Sequence, residues 1–356
     1  MTNDERFMAL ALSLGRRGMG RVWPNPAVGC VIVKQGRIVG RGWTADGGRP
    51  HAEPQALTQA GADARGATAY VTLEPCSHHG QTPPCAEALI AAEISRVVIA
   101  TEDPDPRVAG RGIAVLKAAG IIVDLGCLEA QARADHAGFL FRITQNRPFI
   151  TLKLALSLDG RIATATGESQ WITGPDARRA VHMLRARHDA VLIGAGTARA
   201  DDPMLTVRGL GIDRQPVRVV VSRQLILPLD GALARSAHDV PLWLCHGTGV
   251  DTAPWTALGA DCRIVEPFDI AQVMRDLATR GITRVFCEGG GSLAASLLGT
   301  GLVDELIVFS AGLIIGADGL PGVALLGLTQ LAEAPRFRLV DHAPIGGDIM
   351  QVWRPI

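Results

Sequence analysis

Residue types that can bind zinc follow one another early in the chain: His51, then Cys76 behind Pro75, then Cys85. One imidazole and two thiolates leave a tetrahedral Zn2+ with its fourth position open. That is the arrangement of catalytic sites, whereas structural sites close the shell with four protein ligands. In an open site the metal lowers the pKa of its water from about 15.7 to about 7. Glu53, two residues after the histidine, is not needed as a ligand. It is near enough to take a proton from that water and return it to a departing amine.

The order His-x-Glu, then Pro-Cys, then Cys is the signature of zinc-dependent nucleobase deaminases, whose cysteines are usually separated by two residues. Here eight intervene, Ser77 to Pro84. Gly80 and Pro83-Pro84 cannot continue a helix, so the chain can loop out and bring Cys85 back at the start of the next one. A helix N-terminus also favours thiolate. The longer loop brings His78, His79 and Gln81 toward the metal, which suggests a substrate larger than a bare base. A closed structural site could take His78 or His79 as fourth ligand, but would leave Glu53 without a role. Cys30, Cys127, Cys245, Cys262 and Cys287 lie in apolar runs and are expected in cores.

A second constellation lies downstream. The run Val285-Phe286-Cys287 reads as a strand, and Glu288-Gly289-Gly290-Gly291-Ser292 leads from it into a helix. Glycines let backbone approach an anion closely, and free N–H groups at the helix start point toward it. The same run could serve turn geometry alone, and it lacks the G-x-G-x-x-G spacing of a standard Rossmann domain. Ser222 and Arg223 end another strand and could meet a ribose 2′-phosphate. The segment 175–187 reads as a helix with Arg178 and Arg185 on one face. Such a face is usually solvated, yet with Arg208 it could grip a sugar phosphate. Lys153 and Asp201 are candidates for moving protons.

Periodicity supplies the elements that must carry these groups. In the first half, helices are expected at 4–19, 51–60, 85–92, 110–119 and 129–141. Strands are expected at 28–33 and 37–42, joined as a hairpin, and at 69–73, 97–101 and 121–125. The helix at 51–60 would present His51 and Glu53 from its first turn. Asn146-Arg147-Pro148 reads as a linker. Beyond it strands are expected at 149–156, 191–194, 217–221, 242–245, 284–287, 306–310, 337–340 and 348–352, with helices at 175–187 and 270–280 and one that follows Gly289 to Ser292 and runs to Leu298. The length of 356 residues suggests two domains, and the alternation of strands and helices makes both α/β.

Lys+Arg and Asp+Glu each number 35, so the net charge is zero, which argues against a nucleic-acid partner. No apolar run approaches membrane-spanning length. The charged start, Met1 to Arg6, is expected to open an amphipathic helix, not a secretion signal. Seven cysteines, two of them committed to metal, fit a reducing cytoplasm.

Taken together, the motifs resemble the bifunctional riboflavin-biosynthesis deaminase/reductase family, RibD. The resemblance rests on Thr68 to Cys85, Lys153 to Arg161, Gly167 to Thr173, Asp201-Asp202-Pro203, Leu205 to Arg208 and Glu288-Gly289-Gly290. It implies a cytidine-deaminase-like three-layer α/β/α domain over 1–146 and a dihydrofolate-reductase-like α/β domain over 147–356. It also implies deamination of 2,5-diamino-6-(5-phosphoribosylamino)pyrimidin-4(3H)-one, then NADPH reduction of the ribosyl group of the aminouracil product to ribityl. By the same resemblance His51, Cys76 and Cys85 hold zinc, Glu53 shuttles the proton, and Asn25 holds the pyrimidine. Ala155, Trp171, Thr197, Asp201 and Ser222 would meet NADPH, with Gly290, Gly291, Ser292, Leu293, Ala294, Ala295 and Ser296 around its phosphates. Ser169, Arg185, Leu205, Arg208 and Glu288 would hold substrate, and Lys153 would aid the hydride acceptor. A homodimer through the reductase half is implied as well.

Two rivals remain at this point. A nucleic-acid or nucleotide deaminase explains the zinc motif but leaves the residues beyond about 150 without a role. A zinc-stabilised binding protein that senses a dinucleotide predicts binding without turnover.

Overall fold

The computed structural model describes residues 1–78 and 83–356, which form two compact units, Met1–Arg147 and Pro148–Ile356. The elements of the first unit are α1 (Asn3–Gly15), β1 (Gly29–Lys34), β2 (Arg37–Trp43), α2 (Ala52–Ala60), β3 (Thr68–Val71), α3 (Cys85–Ala91), β4 (Arg96–Ile99), α4 (Arg111–Ala118), β5 (Ile122–Leu125) and α5 (Glu129–Gln145). Its five strands lie in the order β2-β1-β3-β4-β5. The hairpin β1–β2 and the pair β1–β3 are antiparallel, and β3, β4 and β5 run parallel.

Alternation along β1 explains the layering. Cys30 and Ile32 face one core with Ala52 and Ala56 of α2, Leu89 of α3 and Leu116 of α4. Val31 and Val33 face another with Phe7, Met8 and Leu12 of α1 and Ala132 of α5. A strand apolar on both faces must be covered on both, which gives the expected α/β/α sandwich. Close approach fixes α2 on the hairpin. A Cβ at Gly42 would come 2.1 Å from the Ala52 carbonyl oxygen, and one at Gly40 would come 2.1 Å from that of Ala56. The bare strand lets the helix lie flat against it and sets where its N-terminus points. The expected helix at 4–19 is α1 followed by a short 3-10 turn over Arg16–Gly18.

The second unit comprises β6 (Phe149–Ser157), β7 (Arg161–Ala163), α6 (Pro175–Ala186), β8 (Ala190–Gly194), α7 (Ala195–Asp201), β9 (Val217–Val221), α8 (Ala232–Arg235), β10 (Leu242–His246), α9 (Ala253–Ala257), β11 (Asp261–Ile264), α10 (Ile270–Thr279), β12 (Arg284–Cys287), α11 (Gly291–Gly299), β13 (Glu305–Ala311), β14 (Leu320–Pro321), β15 (Phe337–Ile345) and β16 (Asp348–Pro355). Nine strands form one sheet, β11-β10-β9-β8-β12-β6-β13-β16-β15. It is parallel from β11 to β13, while β16 and β15 close it antiparallel. α7, α8 and α9 cover β8 to β10 on one face. α6 covers β12 and β13 through Ala177 and Val181, packed against Phe286, Ile307 and Phe309. Six elements here, α7, α8, α9, β11, β7 and β14, were not expected from periodicity. All are seven residues or shorter, too short for a repeat to register.

Candidate active sites

In the first unit the metal-binding set assembles at the start of two helices. His51 is the N-cap of α2, one residue before the helix and not in its first turn as expected. Its extended backbone and its imidazole, which makes no capping bond, leave the ring free to turn inward. Pro54 falls in the first turn, where no N–H is needed. Cys85 opens α3, and its backbone N–H donates to Cys76 Sγ at 3.3 Å. His51 Nδ1 lies 3.3 Å from Cys85 Sγ and 3.7 Å from Cys76 Sγ, and all the ligand atoms lie within 4.8 Å of one another. Ligand bonds of about 2.0 and 2.3 Å at tetrahedral angles put nitrogen and sulfur about 3.6 Å apart. The set therefore fits zinc without rearrangement, through Nδ1. His51 Nε2 is buried with no hydrogen-bond partner among the described residues.

The three ligands are linked to one another through shared protons. The Cys85 thiol and His51 both donate to Cys76, which lowers its pKa to about 4 against the cost of burial. His51 is raised by Cys76, and Cys85, donating its proton to Cys76, is raised far above the thiol range. Zinc would displace these protons. Glu53 is 3% exposed, and burial with the neighbouring Cys76 charge raises its carboxyl to about 7. A carboxyl that titrates near neutrality suits proton transfer in both directions.

Two other features steady this unit's site. Glu74, 3% exposed, accepts from the amides of Asp103 (3.3 Å), Gly110 (3.0 Å) and Ile113 (3.2 Å). It ties the strand that leads to Cys76 to the start of α4. Sequence reasoning passed over it, although Glu-Pro-Cys stood in the motif. Asn25 sits beside Gly48, in the turn that leads to His51; a Cβ at Gly48 would come 1.9 Å from its amide nitrogen. His79, Gly80 and Gln81 lie outside the described residues. Cys30, Cys245 and Cys287 are fully buried as expected, but Cys262, on edge strand β11, and Cys127, just past edge strand β5, are only half-buried.

In the second unit the register of parallel strands gathers the charged groups. Cys287 pairs with Leu152 on β6 and with Leu192 on β8, so Glu288, one residue on, falls beside Lys153. α6 lays Arg185 across them. Its Nε donates to one Glu288 oxygen at 2.5 Å, a terminal nitrogen to the other at 3.1 Å, and its second terminal nitrogen to the Thr206 carbonyl at 2.8 Å. Arg185 is 12% exposed, so at this position the face is not the solvated one that charged helix faces usually are. Burial pushes Glu288 up, but Arg185 outweighs it and holds the carboxyl below its usual range. Burial lowers Lys153, opposed by Glu288 and Asp201, and raises Asp201 at the end of α7. Arg178 turns away from this cluster, donating to the Thr173 carbonyl at 2.8 Å and stacking 4.5 Å above the Trp171 ring.

The glycine turn is braced by Thr197, whose hydroxyl accepts the Gly290 amide at 3.0 Å. The amides of Leu293 and Ala294 already bond to the Gly290 carbonyl, so the first-turn donors of α11 are those of Gly291 and Ser292. Ala294 and Ala295 turn into the core, and Ser296 lies exposed a turn further on. Ala155 pairs with Phe309 on β13. Ser222 follows β9 and is 5% exposed, and Arg223 stacks 4.7 Å over Phe268 while donating to its carbonyl at 3.2 Å. Ser169 is half-buried and Arg208 exposed. The Leu205 side chain is 2% exposed within the core against β8 to β10, which leaves only its backbone to meet a ligand. His182 was missed by sequence reasoning, though it stands on the same helix stripe, four residues after Arg178 and three before Arg185.

These two units define an enzyme of two active sites: a zinc-type nucleobase deaminase joined to a reductase with a nucleotide-cradling α/β sheet. The comparisons agree. Residues 1–101 match the cytidine and deoxycytidylate deaminase zinc-binding region, and residues 148–351 match the RibD C-terminal domain. Riboflavin biosynthesis protein RibD of Escherichia coli (strain K12) is 45% identical over 362 residues, spanning 97% of this chain and 98% of that one. The structure of Acinetobacter baumannii RibD superposes with a TM-score of 0.92 at 39% identity, covering 99% of both chains. A Thermotoga maritima diaminohydroxyphosphoribosylaminopyrimidine deaminase/5-amino-6-(5-phosphoribosylamino)uracil reductase gives 0.90 at 35% identity, again over 99% of both. The chain belongs to the RibD family, the bifunctional deaminase/reductases of riboflavin biosynthesis. The rival readings, which leave one half without a reaction, are thereby set aside. No described helix is long and apolar enough to cross a membrane.

Proposed function

We propose that the chain deaminates 2,5-diamino-6-(5-phosphoribosylamino)pyrimidin-4(3H)-one over residues 1–146. Residues 147–356 then reduce the ribosyl group of the resulting 5-amino-6-(5-phosphoribosylamino)uracil to ribityl with NADPH. The compact units, which divide one residue away, support this division. The observation that carries the reading is a buried, non-ligating Glu53 beside a three-ligand zinc set, in one chain with a cationic reductase cluster.

His51, Cys76 and Cys85 would hold zinc, which when bound would supply Lewis acidity toward the attacking water. Glu53 takes the proton of that water on its carboxylate and delivers it to the amine nitrogen as the carbon–nitrogen bond breaks. Asn25 holds the pyrimidine. In the second unit NADPH supplies the hydride. Gly290, Gly291 and Ser292 would cradle its diphosphate, with amides donated from Gly291 and Ser292; of the run expected up to Ser296, Ala294 and Ala295 are turned into the core and are left out. Ala155, Trp171, Thr197 and Asp201 would contact its nicotinamide half, and Ser222 with Arg223 would meet its 2′-phosphate. Arg185, Arg208, Ser169, the Leu205 backbone and Glu288 hold the sugar phosphate. Lys153, kept poorly solvated by burial, hydrogen-bonds the sugar oxygen and stabilises the opened, imine-like acceptor.

A homodimer through the reductase unit accords with the exposed apolar side chains Leu339 and Val340 on β15, the edge strand of the sheet, and Ile349 on β16 beside it. A cytoplasmic setting accords with seven free cysteines.

The test is mass spectrometry of the diaminopyrimidine ribosyl phosphate incubated with zinc-loaded protein. Loss of the amine without NADPH, then gain of two hydrogens when NADPH is added, is the expected result. Glu53→Gln should keep one zinc per chain and slow deamination by about 10²–10⁴-fold, while reduction of supplied aminouracil continues. Deamination by that variant at the normal rate would exclude the proton-transfer role.

A further inference from the structure

α6 carries Arg178, His182 and Arg185 on one stripe, and the histidine has no part in the chemistry above. It faces the segment 203–208, which follows α7. That arm is pinned along its length. The Val207 amide donates to Gln215 Oε1 at 2.6 Å, and the Val207 carbonyl accepts from Gln215 Nε2 at 3.2 Å. His182 Nδ1 lies 3.1 Å from the Thr206 carbonyl oxygen and 3.2 Å from the Arg208 amide nitrogen. One ring nitrogen cannot donate to the first and accept from the second. The Thr206 carbonyl already receives a guanidinium N–H of Arg185 at 2.8 Å. Both backbone groups are therefore satisfied only when Nδ1 is unprotonated and accepts from Arg208, with the ring proton on Nε2.

The electrostatic surroundings favour that neutral form. Burial lowers the His182 pKa, and so do the charges of Arg185 on its own helix and Arg208 on the facing arm; the Thr206 carbonyl and, less, Glu288 just past β12 oppose them without reversing the direction. A protonated imidazole would turn an acceptor into a donor facing the Arg208 N–H and add a third cation between two arginines.

We propose that His182 is a positioning residue of the reductase site: as a neutral acceptor at Nδ1 it holds the Arg208 backbone so that this guanidinium meets the anionic end of the sugar-phosphate substrate. The proposal rests on the reading of Arg208 as a substrate contact. Protonation of His182 releases the arm, so substrate binding weakens on the acid side without any change in the hydride-transfer groups.

The experiment is steady-state reductase kinetics of the intact, zinc-loaded chain with 5-amino-6-(5-phosphoribosylamino)uracil and its dephosphorylated counterpart, from pH 5.5 to 8.5. The proteins compared are the unaltered chain, His182→Leu, His182→Asn and Arg208→Ala. Deaminase turnover serves as the folding control. His182→Leu should raise KM for the phosphorylated substrate about tenfold, the cost of one misplaced charge-assisted contact. It should change kcat by less than about threefold, leave KM for NADPH unaltered and leave the dephosphorylated substrate unaffected. His182→Asn, which keeps an acceptor near the Nδ1 position, should restore KM to within about threefold of the unaltered chain. The substrate phosphate itself titrates near pH 6, so the difference between the unaltered chain and His182→Asn isolates the histidine: only the former should show the extra rise in KM on the acid side. A loss of kcat at constant KM, failure of Asn to rescue, or identical pH profiles in the two proteins would each overturn the proposal. If Arg208→Ala leaves KM unchanged, the substrate reading of Arg208 fails and takes the proposal with it. If Arg208→Ala weakens binding but His182→Leu does not, the positioning role alone fails.

Discussion

Arg185 and Glu288 form a buried ion pair whose dissection tests the reasoning about the reductase cluster most directly. The side chains are 12% and 9% exposed, so solvent screening takes little from the interaction. The fork makes two parallel bonds, at 2.5 and 3.1 Å, and a third guanidinium bond holds the Thr206 carbonyl at 2.8 Å. Removing one partner leaves a charge buried and unpaired, which costs about 3–5 kcal/mol. Arg185→Met should pay that and also lose the Thr206 bond, roughly a further 1 kcal/mol. Glu288→Gln should cost somewhat less, because the amide keeps an acceptor for one guanidinium N–H. In the double variant the unpaired charges vanish together, so the combined loss should fall short of the sum by about 2–3 kcal/mol. At about 2–4 °C per kcal/mol in a unit of this size, Arg185→Met should lower the melting temperature by roughly 8–24 °C. The assay is urea denaturation of the whole chain. Hydrogen exchange is followed in peptides covering 149–157 and 284–287, which report the reductase unit separately from the deaminase unit. Additivity within about 0.5 kcal/mol, or a single variant as stable as the unaltered chain, would refute the claim that the pair is a coupled, desolvated unit.

Metal removal should separate the two halves: a zinc chelator, or Cys85→Ser, is expected to abolish deamination while NADPH-dependent reduction of supplied aminouracil persists, measured by product mass. Burial holds His188 at a pKa of about 3, with its ring hydrogen-bonded to Thr151 and to the Leu184 carbonyl. In the unfolded chain the ring takes a proton near pH 6.5, and in the folded chain it does so only near pH 3. Stability from this group is therefore intact above about pH 6.5 and is lost as pH falls between those values, by about 1.4 kcal/mol per pH unit. His188→Gln should show a shallower acid slope by that amount in denaturation midpoints from pH 6 to 4; parallel slopes would refute it.

What the chain declared of itself was mostly local. The ligand set, Glu53 and their order were visible because each zinc ligand must be a particular residue type, and helix starts are marked by prolines and turns. The layered α/β/α unit was readable because β1 is apolar on both faces and α1 and α2 are apolar on one. The long reductase strands were readable for the same reason. Short elements were not: α7, which carries Thr197 and Asp201, spans too few residues for a periodic signal. Nor could sequence say which arginines of α6 enter the site. Arg178 and Arg185 share a helix stripe, but only the register of β12 against β6 and β8 puts a carboxylate opposite one of them. The role of Leu205 also needed the fold, since its side chain belongs to the core and only its backbone is left for a ligand. Residue type and spacing determine which atoms can do chemistry; long-range strand pairing, set by packing between residues more than a hundred positions apart, decides which of them meet.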